Sequence, residues 1–418
     1  MWTVIDMKRE LIFLLRQKNV QLLLLVAFLL SAFSVMTGMI EIEKQKDTIT
    51  RLAQYDEVDQ QSIATKRTGF GSIAYYTRHL TYAPPSDLAF AAIGQRDVMS
   101  WKHRVNMLAL EGQIYENDAD NPELAYVGRI DFAFIIAILV PLFVILLLHD
   151  VKASERASGR YELLLTTSKN PNGLWLTRIV VGAASLSIAL LIPFLIGAII
   201  SNSNLTSVTT VIFICITQVS FWALICSWVA KKNASAPQLA SILLGIWLLT
   251  TVIIPVSSEK IIGLAVESPK GGDIVLTQRE AVNDAWDIPY AQTFEPFLAR
   301  HPEWKDYVDM PAAFDWKWYY AFQQVGDQTA EPLSNSYTKA IVRKNELAGI
   351  VAWLSPAMLV QRSLTSLAQT DTKAMLAYKQ SIRDFHTQLR YFYYPYLFKG
   401  IEYDVSVLDK RPTFKPNR

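Results

Sequence analysis

The chain has 418 residues, 51% of them hydrophobic, and its 40 Lys and Arg against 38 Asp and Glu leave a net charge of +2. Near-neutrality removes the global field that nucleic-acid binding calls for, and no DNA- or RNA-reading signature occurs. The two cysteines, Cys215 and Cys226, stand eleven residues apart in one apolar run, about 16 Å along a helix, too far for a disulfide, and identify no compartment.

Residues 1–18 mix Trp2, Ile5, Leu11 and Leu15 with Lys8, Arg9, Arg16 and Lys18. That pattern suits a helix lying in a membrane interface, and equally a plain extension of the helix that follows. Five apolar runs then recur: Val20–Ile40, Ile130–Leu148, Ile179–Ile200, Val208–Val229 and Pro237–Val256. A bilayer core of about 30 Å needs roughly 20 apolar residues in a helix. Lipid offers no backbone partners, so each run is predicted to be a spanning helix, over 19–40, 130–148, 174–200, 208–230 and 237–256.

Positive charge in short connections marks the cytoplasmic side. Residues 1–18, the 149–173 segment with Lys152, Arg156, Arg160 and Lys169, and the link with Lys231 and Lys232 carry it, whereas the link 201–207 has none. The predicted topology puts these three inside and places 41–129 and 257–418 outside the cytoplasm.

Both outer segments carry helical stripes. Val98, Trp101, Val105, Leu108, Gly112 and Tyr115 form one predicted face; Met375, Tyr378, Ile382, Phe385 and Leu389 form another. Such faces need partners, so the segments are expected to fold against each other. The cluster 391-YFYYPYLF-398 fits core packing rather better than a membrane-interface belt, and 409–418 reads as loop.

No P-loop, H-E-x-x-H or G-x-S-x-G motif occurs, and the five histidines are scattered. Asp97, Glu111, Glu116, Asp118, Glu123 and Asp131 could in principle supply a carboxylate pair, as any exposed helix could. Within the spans Gln218 is the most polar mid-run side chain of its helix; Gln218 and Trp222 are the candidate pathway residues. Pro141, Pro193 and Pro255 are candidate kinks.

The segment 149–173 is charged, then apolar, between two spans. Ser154 is a candidate cap, Glu155 and Arg156 would fill the first turn, Glu162 would fall on the side of Glu155, and Pro171 would stop the helix. Such a helix either docks in a groove of a cytoplasmic partner or merely anchors the loop. The stretch 155-ERASGRYELLLTT-167 resembles the E-[RK]-x-x-G-[TR]-x-E-x-L-L pattern of ABC-2 type transporter permeases, with Glu155, Gly159, Glu162 and Leu164 matching and Arg160 where Thr is commoner. A second resemblance, to a permease subgroup with large outer segments, rests on residues of 94–134, among them Gly94, Gln95, Arg96, Asp97, Glu111 and Asp131, and on 301-HPEW-304, Ser355, Pro356, Gln361 and 369-QTD-371. Members of that subgroup usually have a sixth span after the second outer segment; no such run follows Phe398.

The resemblance implies a mainly α, polytopic helical membrane protein of the bacterial inner membrane, built like an ABC-2 or type V exporter permease with a mostly helical extracytoplasmic domain. It implies that 149–173 is a coupling helix, with Glu155, Arg156, Gly159, Arg160, Glu162 and Leu164 toward an ATP-hydrolysing ABC subunit present in two copies. ATP and magnesium would be bound by that subunit and no cofactor by this chain. The remaining expected partners are a second permease copy or sister permease, membrane lipid, and a periplasmic or outer-membrane partner. Two alternatives stand beside export. One is a mechanotransmitting complex that works the outer domain without moving cargo; the other is a membrane-anchored enzyme using outer carboxylates.

Overall fold

A computed structural model describes residues 4–115, 130–167 and 171–416. The fold is mainly helical, and five of its helices are long and apolar enough to cross a membrane. In chain order the elements are α1 (Val4–Leu15), α2 (Lys18–Lys66), α3 (Phe70–Tyr76), β1 (His79–Tyr82), β2 (Lys102–Val105), α4 (Leu110–Tyr115), α5 (132–148), α6 (Ala153–Ala157), α7 (Tyr161–Thr167), α8 (Pro171–Ile200), α9 (Leu205–Val229) and α10 (Ala236–Ala265). Then come α11 (Gly271–Asp284), α12 (Tyr290–Arg300), α13 (Trp316–Val351), α14 (Pro356–Leu367) and α15 (Thr372–Phe398).

Two apolar cores divide the work. One, around Phe132, Phe194, Cys215 and Trp222, holds α2, α5, α8, α9 and part of α10 in a bundle, with α14 laid across one end. The other, around Phe70, Phe297, Tyr320, Phe322, Ile382 and Tyr393, forms a head at that same end. The opposite end, the base, carries α1, α6 and α7. Helix α2 joins base to head: its 49 residues extend about 73 Å at 1.5 Å per residue. Its buried line Ala27, Ser31, Ser34, Val35, Gly38, Ile42 and Gln45 keeps helical spacing and small side chains, as close helix packing requires. Ser31 donates to the Leu190 carbonyl of α8 at 2.8 Å. A Cβ on Gly38 would stand 2.1 Å from the Phe90 carbonyl oxygen.

Two of the candidate prolines act through π-helical turns. A proline lacks the N–H that its i−4 carbonyl needs, and its ring crowds that carbonyl. Residues Ile135–Leu139 precede and include the turn before Pro141, and Leu249–Ile253 precede Pro255; both stretches are π-helical. The freed Ala137 carbonyl takes a long contact from Gln218 Nε2 at 3.5 Å, and Ile138 accepts from Trp247 Nε1 at 3.2 Å. Gln218 thus repairs a break in a neighbouring helix.

In the head the second stripe holds: Tyr378, Ile382, Phe385 and Leu389 are buried along α15. The cluster 391–398 packs into the head core through Tyr393, Tyr394 and Phe398, while Tyr391 stays 62% exposed. The first stripe does not hold. Residues 98–101 are not helical, 102–105 form β2, antiparallel to β1, and only Leu110–Tyr115 is helix. The reason is non-local: Asp327 of α13 accepts the Leu110 and Glu111 N–H groups, fixing the start of α4. Glu116, Asp118, Glu123, Trp2 and Lys169 lie outside the described residues.

Two buried ion pairs tie the head's halves together. Glu111, 6% exposed, accepts Arg383 Nε at 2.7 Å and Nη2 at 2.9 Å, and Ser334 Oγ at 2.9 Å. Asp327 accepts Arg390 Nη2 at 2.7 Å. Two histidines are buried beside them. Burial, helped by the charges of Arg411 and Arg104, holds the His79 pKa down to about 3. Burial, with Arg390, holds His386 well below the ordinary histidine range. Above pH 6.5 both are neutral folded or unfolded and do not affect stability. Below 6.5 the unfolded chain takes protons that the folded head refuses. Each histidine is therefore expected to destabilise the head by up to about 1.4 kcal/mol per pH unit, down to about pH 3 for His79. Thermal melts between pH 7.5 and 4.5 check this: the slope should shrink in His79→Gln, and an unchanged slope would contradict buried neutral histidines.

A candidate coupling surface at the base of the bundle

The 149–173 segment folds at the base as two short helices rather than the single one expected. Gly159 separates them with φ +71°, a left-handed conformation that glycine adopts at least cost and that ends α6. Its N–H bonds the Arg156 carbonyl at 3.0 Å, and Arg160 N–H bonds the Glu155 carbonyl at 3.0 Å. Ser154 is not a cap; it sits inside α6, and its Oγ donates to the Asp150 carbonyl at 2.8 Å. Pro171 opens α8 instead of closing a helix, the first-turn position where its missing N–H costs nothing.

The turn at Gly159 separates the two glutamates that a single helix would have aligned. Glu155 points into the base and is 5% exposed. One of its oxygens accepts Arg178 Nη1 at 2.9 Å, the other Arg160 Nε at 2.8 Å. Arg178, from α8, also reaches Glu10 Oε2 of α1 at 3.0 Å, and Glu10 is itself 5% exposed. A single guanidinium therefore clamps α1, α6 and α8. The planar fork suits this bridging better than an ammonium would. Its faces are covered too: the Phe13 and Trp175 ring centroids each lie 5.2 Å from the Arg178 Cζ.

The rest of the base is fastened by aromatic and backbone contacts. Tyr161 stacks on Trp175 at 5.7 Å, and Arg156 lies 4.9 Å over the Tyr161 ring. Arg156 Nη1 also donates to the Lys232 carbonyl at 2.8 Å, tying α6 to the link between α9 and α10. What remains outward is the far side of Arg160, whose side chain is 62% exposed, with Glu162 and Leu163, the latter 61% exposed. Leu164 is half-buried. The arrangement is a rigid projection with a small mixed face: one cation, one anion and one leucine.

The other candidates fall elsewhere. Gln218 is 3% and Trp222 1% exposed, both in the bundle core of this single chain. Cys215 and Cys226 are free and buried. Asp131 caps α5, accepting Phe134 N–H at 2.8 Å and Ile93 N–H at 2.9 Å. Of the carboxylates considered for catalysis, Glu111 is committed to Arg383. Among the described residues no group of three or more His, Cys, Asp or Glu could hold a metal ion.

Residues from the two distant halves of the head meet at one seam above the bundle. Gln95 N–H bonds the Thr370 carbonyl at 2.8 Å, and Thr370 Oγ1 bonds the Ala92 carbonyl at 2.8 Å. A Cβ on Gly94 would lie 2.6 Å from the Thr370 oxygen, and the residue has φ +52°, so the seam needs glycine there. No local sequence signal announces the Arg178 clamp, which sequence reading missed: its partners lie 168 and 23 residues away.

The comparisons add one match. A family model described as a domain of unknown function, DUF3526, matches residues 274–417, which run from α11 through the end of the head. No curated protein and no solved structure matches the chain.

Proposed function

We propose that this chain is the membrane-embedded permease subunit of an ATP-driven ABC-2 type exporter. The five apolar helices of the bundle span the bacterial inner membrane, the base faces the cytoplasm and the head stands outside it. ATP and magnesium bind to a separate ATPase subunit, present twice, and two permeases, alike or sister chains, complete the pathway.

The observation that carries this reading is the clamped projection at the base. A docking helix transmits motion only if it is rigidly joined to the elements that must move. Here Arg178 joins α6 to α8 and α1 through two buried carboxylates, while Arg160, Glu162 and Leu163 stay outward. Glu155, in this reading, is a positioning residue, and the contact with the ATPase falls to Arg160, Glu162 and Leu163, with Arg156 and Leu164 at the margin. Reversing both charges, Arg160→Glu with Glu162→Arg, is expected to lower capture of the ATPase subunit about tenfold or more, since both contacts then meet like charge. Capture equal to the wild type would refute docking at this face.

One feature favours the mechanotransmitting alternative as a second reading. Helix α2 passes from the base into the head without interruption, a rod able to move the head directly. In that case ATP hydrolysis would shift the head with no cargo translocated into vesicles.

A further inference from the structure

Between the two halves of the head lies a cavity of about 390 Å³, walled by Trp101, Met99, Met375 and Ala377 and floored by Arg96 and Tyr378. Its cation is unusual. Arg96 Nε and Nη2 donate to Gln45 Oε1 at 2.9 and 2.7 Å, and Nη2 also to the Ala83 carbonyl at 3.0 Å. All these acceptors are neutral. Among the described residues no carboxylate stands within ion-pair distance of Arg96, and burial lowers its pKa to about 10. Trp101 covers it, 5.6 Å from Cζ to ring centroid. Lys373 adds an exposed ammonium at the rim, and Asp371, the one lining carboxylate among the described residues, is engaged in capping α15 through Ala374 N–H at 3.0 Å.

The depth of the cavity narrows the ligand. Gln45, which holds Arg96, follows the end of the first apolar run at Ile40 by five residues, about 7.5 Å along the helix. That distance is head-group depth in a bilayer. A partly buried guanidinium facing apolar walls at that level fits an anionic head carried on an apolar body.

We propose that this cavity binds an amphiphile with a single anionic head, carboxylate or phosphate, seated on Arg96 with its chain against Trp101, Met99 and Met375. The proposal rests on the membrane reading given above but not on the ATPase partner.

The test uses the full chain in phosphatidylcholine nanodiscs with no ATPase present. Dodecanoate is the probe and dodecanol the neutral control. Saturable dodecanoate binding is expected, with dodecanol at least about tenfold weaker, the loss of one charge-assisted hydrogen bond. Arg96→Gln should weaken dodecanoate by a similar factor. Ala377→Phe, which fills the cavity without removing any bond, should abolish binding at unchanged melting temperature. Adding phosphatidylglycerol to the discs distinguishes a lipid occupant, which displaces the probe, from a free amphiphile, which requires its own carboxylate; either result supports the site. Equal binding of dodecanol, equal binding of inorganic phosphate, or indifference to Ala377→Phe would overturn it while leaving the permease reading intact. A chain that stays soluble without detergent would overturn the membrane reading and this proposal together.

Discussion

Arg178→Ala is expected to destabilise the chain by about 3–5 kcal/mol and to release α1 from the bundle, because it strands two buried carboxylates at once. Glu10 and Glu155 are each 5% exposed, and Arg178 is the partner they share. Arg9 reaches Glu10 only at 3.4 Å from a side chain that is 61% exposed, and Arg160, 62% exposed, is the sole other partner of Glu155; neither compensates for a desolvated partner. Arg178→Lys keeps the charge but not the fork that reaches both acids, so an intermediate loss is expected. Arg178→Met combined with Glu10→Gln and Glu155→Gln removes the stranded charge and should recover most of the stability. Melting in detergent, with proteolysis of α1 as a second readout, checks the series. An Arg178→Ala protein that melts like the wild type would show that the clamp carries no stability.

The second large effect is expected in the head. Arg383→Met leaves Glu111 buried with only the Ser334 hydroxyl as partner, a loss of about 3 kcal/mol or more. Lys379 limits the damage. Burial, with the charge of Arg383, holds its pKa down to about 8, so removing that charge lets it ionise more fully beside Glu111. Lys379→Met added to Arg383→Met should therefore cost more than the sum of the two single changes. Because Glu111 lies on α4 and Arg383 on α15, the expected readout is selective proteolysis near α4 while the bundle stays intact. Simultaneous melting of head and bundle would contradict two separate cores.

The elements of the bundle were legible because lipid-length apolar runs need no partner to be recognised. The α15 stripe was legible for a related reason: its buried residues repeat at helical spacing over many turns. The stripe at 98–115 met the same spacing by coincidence, and β1 pairing together with Asp327 decided the outcome instead. At the base, Gly159 was visible in the sequence, yet its left-handed turn, which sends Glu155 inward and Glu162 outward, depends on the contacts around it. The Arg178 clamp was illegible: nothing near Glu10 or Glu155 states that an arginine from a third helix will join them. Gln218 was noticed for its polarity, but its role follows from Pro141, whose freed carbonyl it contacts.

The most direct measurement is the ATP hydrolysis rate of the partner ATPase subunit, reconstituted in lipid vesicles with and without this chain. The account predicts that the wild-type chain changes the rate, and that the chain carrying Arg160→Glu and Glu162→Arg, folded and inserted, leaves it at the level of the ATPase alone. An equal change by the charge-reversed chain would contradict the claim that the projection at the base is where the motor engages.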